Sequence, residues 1–163
     1  MSNSGVYKMN ILYGNKPLGQ IGSKDAVWEQ IQRQAGLILE EAEELYEAAM
    51  SKDMVEVVDG TVDVWVTREY MDDLLQACNI KYKAARKEIM ENNLSKVFSF
   101  SCDAKATCEA YKKKGVDTEV VEEIIEGELL FIVKRKPDGK VMKPINHQPP
   151  QLEEFIPQFW LEK

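Results

Sequence analysis

The sequence predicts a mostly α fold: a helical bundle followed by a small C-terminal α+β appendage. Residues 25–77 carry apolar side chains at helical spacing, whereas residues 119–143 are rich in β-branched residues and turn signals. The chain has 163 residues, of which 44% are apolar, so it is long enough to bury a core. We expect a helical core with an N-terminal arm over residues 1–101, and an extension with a Pro-rich tail over residues 102–163.

Residues 1–22 are predicted to form an irregular arm packed on the body. Their aromatic and aliphatic side chains are interrupted by Gly14, Pro17, Gly19 and Gly22.

The first long helix is predicted over residues 25–50, where one apolar stripe repeats with helical periodicity. Trp28 lies on or near that stripe, and Glu41 and Glu44 lie three residues apart at its edge. Side chains three apart share a helix face, so these two carboxylates can converge on one point. The remaining glutamates of this segment are expected to face solvent: Glu40, Glu43 and Glu47.

The second long helix is predicted over residues 53–77. Glu56, Asp59 and Asp63 recur at spacings of three and four in a Val-rich run, which places them on one helical face. A strand is the competing interpretation, because β-branched residues favour strands and Gly60 weakens a helix by roughly 1 kcal/mol.

These two acidic faces predict a metal site. Charged groups are costly to bury unless they are paired or bound to a metal. Oxygen ligands without a nearby His or Cys favour Mg²⁺, with Mn²⁺ as a substitute. The alternative is that Glu41 and Glu44 belong to an ordinary solvated helix face.

The rest of the chain changes in character. A basic helix is expected over residues 80–92, and its Lys83 and Arg86 are candidate cations for outer phosphates. A short helix over 101–114 then precedes a β-meander, with strands at 119–125, 129–136 and 140–143. The aromatics of the Pro-rich tail are expected to anchor it to the body or to another subunit.

Charge and composition argue against several classes of protein and of functional site. The net charge of −7 argues against a general nucleic-acid coat. No apolar stretch is long enough to span a bilayer and no signal peptide is evident, so we expect no membrane partner and a cytoplasmic location. His147 is the only histidine and Cys78, Cys102 and Cys108 lack metal-ligand spacing, which disfavours a zinc site or a histidine base.

Three short motifs stand in order along residues 21–100. An E-E-x-x-E pattern is present as Glu40 to Glu44, E-x-x-D as Glu56 to Asp59, and N-x-x-K as Asn93 to Lys96. Together they resemble the MazG-like all-α nucleoside triphosphate pyrophosphohydrolases. The resemblance implies a bundle of the all-α NTP pyrophosphatase type, a homodimer or homotetramer, and Mg²⁺-dependent hydrolysis of a (deoxy)nucleoside triphosphate. The C-terminal extension is similar to those of phage members, which would place the protein in a host cytoplasm.

Residue roles follow from the motifs and this resemblance. Metal ligands are expected at Glu41, Glu44, Glu56 and Asp59, and the catalytic group at Glu40, Glu41 and Glu44, where Glu40 or Glu44 accepts a proton from water. The expected substrate-binding residues are Asn93, Lys96, Lys83, Arg86, Trp28 and Asp63. For Trp28 the resemblance implies base contact, although plain packing is the favoured interpretation.

Two other functions remain open at the level of sequence. Phosphoribosyl-ATP pyrophosphohydrolases have acidic motifs with similar spacing. The second alternative is a non-catalytic helical module. Its acidic faces would bind a metal that stabilises an oligomer, or it would bind a nucleotide without turnover.

Overall fold

The computed structural model describes residues 4–17 and 22–162. It is about 60% helical, with six α-helices and one three-stranded antiparallel sheet in the described residues. The elements in chain order are α1 (Ser4–Leu12), α2 (Lys24–Ser51), α3 (Met54–Ala77), α4 (Tyr82–Leu94), β1 (Val97–Phe98), α5 (Ser101–Lys113), β2 (Thr118–Ile125), β3 (Glu128–Arg135), a 3₁₀ turn (Glu153–Phe155) and α6 (Gln158–Leu161).

The chain divides into two compact units. The first unit contains residues 1–82 and 155–163, and the second contains residues 83–154. These units are spatial groupings, and the domains predicted over 1–101 and 102–163 stay a prediction.

The first unit is organised around a long helical hairpin. Ser23 caps α2 by accepting a hydrogen bond from the Ala26 N–H at 3.2 Å. At the other end Lys52 adopts the left-handed conformation, with φ of 60°, and Asp53 caps α3 by accepting from the N–H groups of Val55 and Glu56. The chain therefore turns tightly between the two helices, and α2 packs along α3.

Two close contacts fix the spacing of the hairpin. A Cβ at Gly60 would lie 3.2 Å from the Leu45 Cα, tighter than an ordinary van der Waals contact, so glycine allows the close approach of the two backbones. Farther along, Gln34 is buried and donates from Nε2 to the Thr67 carbonyl at 2.6 Å. The helix predicted over 53–77 is confirmed, and the competing strand is wrong, because α2 supplies the packing that overrides β propensity.

The N-terminal arm contains a helix that the sequence analysis missed. Residues 4–12 form α1, which contacts α3, so the prediction of an irregular arm is wrong for this segment. Asn10 and Asn15 are buried there, and the Tyr70 hydroxyl donates to the Lys16 carbonyl at 3.1 Å. Residues 1–3 and 18–21 of the predicted arm lie outside the described residues.

The C-terminal tail returns to the first unit. Trp160 packs edge-to-face on Trp28 with ring centroids 6.3 Å apart, and its Nε1 donates to the Cys78 carbonyl. Lys24 donates from Nζ to the carbonyls of Phe159 and Glu162. The expectation that tail aromatics anchor to the body is confirmed for these residues.

The second unit has its own small core, formed where α5 packs on the sheet. Ala104, Cys108, Phe131 and Val133 are buried there. β2 and β3 form a hairpin with Val120 opposite Val133, and its turn uses Gly127 with φ of 86°.

The predicted fold class, a bundle of the all-α NTP pyrophosphatase type with a C-terminal β-meander, is wrong. The finding that overturns it is a mostly α chain with a small three-stranded sheet, in which α4 belongs almost wholly to the second unit rather than to a bundle. The sheet order is β1-β3-β2, with the last strand in the middle, because Val97 pairs with Ile132. A meander would instead keep the strands in chain order.

Membrane-spanning character is absent from the helices that the structure describes. None of them has both the length and the apolar character that crossing a bilayer demands.

Candidate functional site: an acidic groove between two helices

Carboxylates from α2 and α3 line one groove of the first unit, with a volume of about 400 Å³. Glu44 and Glu47 come from α2, and Glu56, Asp59 and Asp63 come from α3. We call these five residues the acidic groove. The helical spacing of each set puts its members on one face, and the tight hairpin brings the two faces together.

The pKa of Glu41 is shifted in the direction expected for a carboxyl group among like charges. Burial raises the pKa of Glu41 above its usual value, and the negative charges of Asp63, Glu44, Glu40 and Asp59 raise it further. Two of these neighbours belong to the other helix, so repulsion acts across the hairpin as well as along α2.

The groove lacks compensating cations among the described residues. The ion pairs of the described chain lie elsewhere, and none of them includes Glu41 or a carboxylate of the acidic groove. Carboxylates at such density are the donor set that a hard divalent cation prefers.

As placed, the side chains do not form a closed metal cage. No group of three or more His, Cys, Asp or Glu side chains within the described residues is arranged to hold a metal ion. The helices fix the Cα positions, whereas the exposed Glu and Asp side chains have several staggered rotamers of similar energy. The donors therefore fit a divalent cation by their chemistry and need side-chain rotation to converge on it.

The predicted site residues are distributed over both units. Glu44, Glu56, Asp59 and Asp63 line the groove, and Glu41 adjoins it. Glu40, the residue before Glu41 on α2, is exposed.

The predicted substrate-binding residues other than Asp63 have different surroundings. Trp28 packs against Trp160. Lys83 and Arg86 are exposed on α4 in the second unit. In that unit, too, Lys96 donates from Nζ to Asn93 Oδ1 at 2.6 Å, so the two residues of the N-x-x-K motif contact each other.

Glu47 is the groove residue that the sequence analysis missed. Glu47 is exposed, as predicted, but it also lines the groove, three residues after Glu44, which is the same spacing that paired Glu41 with Glu44. Continuing that spacing by one turn would have found it.

Comparisons with protein-family models, curated proteins and solved structures find no match for the chain. The resemblance carried by the three motifs therefore stays a prediction.

Proposed function

We propose that the protein hydrolyses a (deoxy)nucleoside triphosphate to the nucleoside monophosphate and pyrophosphate, with Mg²⁺ as cofactor, in control of a nucleotide pool. The observation that carries the proposal is the acidic groove, in which two helices present five carboxylates that form no ion pair with a Lys or Arg among the described residues. A polyphosphate is itself anionic, so it can approach this surface only through cations.

Glu44, Glu56 and Asp59 would hold Mg²⁺ in the groove, with Glu41 and Asp63 at its end. When bound, Mg²⁺ or its substitute Mn²⁺ supplies charge neutralisation for the phosphates and lowers the pKa of a coordinated water. The role of the protein is then to fix carboxylates from both helices within reach of one polyphosphate.

The reaction adds water to the α-phosphorus. The water oxygen forms a bond to the α-phosphorus, the bond to the bridging oxygen breaks, and pyrophosphate leaves with its electron pair. The proton of the water passes to a carboxylate of α2, for which Glu40 and Glu44 are the candidates. A carboxylate in this position acts as a general base and returns its proton to solvent after product release.

The resemblance also assigns phosphate and nucleotide contacts to Asn93, Lys96, Lys83 and Arg86. Their chemistry suits that role, since Lys and Arg donate charge-assisted hydrogen bonds to phosphate oxygens. These contacts belong to the proposal, whereas for Trp28, which packs against Trp160, plain packing stays the favoured interpretation over base contact.

We also propose that the protein forms a homodimer or homotetramer in the cytoplasm, where nucleotide pools are found. Val55, Val58, Val62 and Trp65 form an exposed apolar stripe along α3, which we call the α3 stripe. A stripe of this kind on a helix is typical of a surface that packs against another molecule.

The test is pyrophosphate release from a panel of canonical and deaminated (d)NTPs and phosphoribosyl-ATP, with Mg²⁺, with Mn²⁺ and with chelator. Metal-dependent release from a nucleotide supports the proposal, and release from phosphoribosyl-ATP alone would favour the related pyrophosphohydrolase. A folded protein that gains stability from Mg²⁺ but releases no pyrophosphate would instead be a non-catalytic module.

Variants locate the activity in the groove. We expect Glu56→Gln and Asp59→Asn each to lower kcat by about 100-fold or more, in the range for loss of a catalytic group. Glu123→Gln, which changes an exposed glutamate of β2, is the matched control and should retain full activity. Full activity in both groove variants, with helicity unchanged, would exclude the acidic groove as the site.

A further inference from the structure

A second cavity adjoins the acidic groove at the N-terminal arm. It has a volume of about 270 Å³ and is more enclosed than the groove. Asp63 lines both cavities, and Glu41 lines the second. The other lining residues used below are Tyr13, Arg33, Leu37 and Val66, and we call this cavity the arm pocket.

Internal hydrogen bonds hold the wall that the arm contributes. Asn15 donates from Nδ2 to Asn10 Oδ1 at 2.9 Å, and Asn10 donates from Nδ2 to the Val6 carbonyl at 3.0 Å. Both asparagines are buried, and the Tyr70 hydroxyl holds the next residue, Lys16, through its carbonyl. The pocket is therefore built before any ligand arrives, which lowers the entropic cost of binding.

The lining combines apolar walls with one cationic donor, Arg33, and two carboxylates, Glu41 and Asp63, of which Asp63 also lines the acidic groove. Leu37 and Val66 supply apolar surface, and Tyr13, which is 71% exposed, offers an aromatic ring beside them. The Arg33 guanidinium contacts the carbonyls of Tyr13 and Gly14 at 3.4 and 3.5 Å. A guanidinium has five N–H donors and no acceptor, so it retains donors for a ligand.

We propose that the arm pocket takes the nucleoside end of the substrate, with Arg33 donating to carbonyl acceptors of the base. This inference rests on the proposed function, since the acidic groove then receives the phosphates. From Asp63 to Glu56 the helix extends about 10 Å, at 1.5 Å per residue. One extended nucleotide can therefore occupy both cavities.

The donor-only character of Arg33 sets the expected specificity. Guanine and hypoxanthine present acceptors at O6 and N7, which match a guanidinium. Adenine presents an amino group at C6, which is a donor and cannot accept a hydrogen bond from the Arg33 guanidinium. Keto bases should therefore be preferred, and the sharpest comparison is dITP against dATP, because these purine nucleotides differ only in the C6 substituent and in the proton that N1 carries in the keto base.

The experiment measures kcat and KM for dITP and dATP with Mg²⁺. Wild-type protein should prefer dITP by about tenfold or more in kcat/KM, as expected for a good guanidinium contact. Arg33→Ala should raise KM for dITP by about the same factor and change KM for dATP by less than about threefold. Arg33→Lys should recover only part of the preference, because an ammonium lacks the planar fork.

Lys8→Ala is the matched control for lost charge, since Lys8 is exposed on α1 and does not line the pocket. It should leave both substrates unchanged. Equal turnover of dITP and dATP by wild-type protein, or an equal effect of Arg33→Ala on both, would overturn the assignment of the arm pocket while the hydrolase proposal stands.

Binding of dIMP and dAMP, measured by calorimetry, separates the remaining outcomes. If no triphosphate is hydrolysed but dIMP binds more tightly than dAMP and loses that advantage in Arg33→Ala, the pocket assignment holds and the hydrolase proposal fails. If neither hydrolysis nor selective dIMP binding occurs, both proposals fail.

Discussion

The two units of the protein bury their apolar residues in different ways. In the second unit, α5 packs on the sheet and encloses Ala104, Cys108, Phe131 and Val133, so a short stretch of chain completes its own core. In the first unit, α2 and α3 are the longest helices, and both leave large apolar side chains exposed: Leu39, Tyr46 and Met50 on α2, and Met54, Val55, Val58, Val62 and Trp65 on α3.

This difference bears on the proposed association of the helical unit with a second copy. Two helices share a single line of contact, and each leaves the rest of its surface open. A helix packed on a sheet covers a whole face of that sheet. The sheet-containing unit also exposes large apolar side chains, such as Phe100, Ile124 and Leu129, but they lie outside the core that α5 and the sheet enclose. The helical unit combines the exposed α3 stripe with an acidic groove whose carboxylates form no ion pair among the described residues. In the proposed function, a second copy would pack on the α3 stripe and a divalent cation would bind in the acidic groove.

Disrupting the α3 stripe should give the largest effect. Val58→Glu combined with Val62→Glu places two charges on the stripe, and each valine removed forfeits about 1.5–3 kcal/mol of burial if the stripe is an interface. We expect the wild-type oligomer to dissociate to monomers, measured by sedimentation, with a lower melting temperature.

Ile124→Glu is the matched control in the second unit, where Ile124 is 74% exposed on β2. It should leave the oligomer intact. A monomeric wild-type protein would contradict the proposed association, and dissociation by Ile124→Glu alone would move the interface to the second unit.

Truncating one buried side chain in each unit tests whether the two units unfold independently. Leu74 and Val133 are both fully buried, one in each unit. Leu74→Ala should cost about 2–5 kcal/mol, and Val133→Ala about 1–3 kcal/mol, because the valine substitution removes fewer carbon atoms.

Amide hydrogen exchange shows which helices and strands lose stability in each variant. Leu74→Ala should accelerate exchange mainly in α2 and α3, and Val133→Ala mainly in α5, β2 and β3. Equal acceleration throughout the chain in both variants would mean that the two units unfold as one.

Regular elements with local signals were predictable from the sequence. The helix predicted over 25–50 is α2, because Ser23 supplies a cap and the apolar stripe repeats along the helix. The strands predicted over 119–125 and 129–136 are β2 and β3, since the hairpin turn is marked by Gly127.

Elements decided by distant contacts were not predictable. β1 is two residues long and exists only because it pairs with β3, far along the chain, and this pairing changes the sheet order. α1 has weak helical amphipathicity, and its formation depends on contact with α3. In the site, spacing along each helix predicted which carboxylates share a face. The inclusion of Glu47 and the closeness of the two helices at Gly60 required the hairpin geometry.

Glycines have different roles in the two units. Gly127 lies in a turn with positive φ, whereas Gly60 allows α2 and α3 to approach. Gly60→Ala would gain helix propensity of about 1 kcal/mol but would press a methyl group against the Leu45 backbone. We expect a net loss of about 1 kcal/mol in chemical denaturation, since overpacking typically costs about 1–3 kcal/mol.

Gly36→Ala is the control on α2, where an added Cβ would meet no atom within 4 Å. It should stabilise the protein by about 0.5–1 kcal/mol. A stabilised Gly60→Ala protein would mean that the two helices can separate at little cost.

Removing one carboxylate at the groove should stabilise the first unit slightly. The pKa of Glu41 is raised in the folded protein, by burial and by neighbouring charges, above the 4.5 that is usual for glutamate. The ionised group therefore opposes folding above its folded pKa, and this effect disappears below pH 4.5. Glu41→Gln, measured with chelator present, should raise the melting temperature at pH 7 by an amount equivalent to a few tenths of a kcal/mol.

The comparison for Glu41 is Glu29→Gln, which alters an exposed glutamate of α2 outside the groove and should have no effect. Mg²⁺ should reverse the order, stabilising wild-type protein more than Glu41→Gln. Equal melting temperatures of the two proteins at pH 7 with chelator would show that repulsion in the groove is fully screened.

The smallest effect is expected at a carboxylate of the second unit, and its sign is opposite. Asp138 accepts hydrogen bonds from Arg135, whose guanidinium lowers the pKa of Asp138 from 3.8 to about 2. A lowered pKa means that the ionised form favours folding, so its contribution is present above pH 3.8 and is lost as the pH falls through about 2. Because the pair is exposed, Asp138→Asn should lower the melting temperature only slightly at pH 7, and by still less near pH 2. The melting temperatures of Glu41→Gln and Asp138→Asn should therefore shift in opposite directions at neutral pH. Shifts of the same sign would contradict the contrast between repelling carboxylates at the groove and the Asp138 carboxylate paired with Arg135.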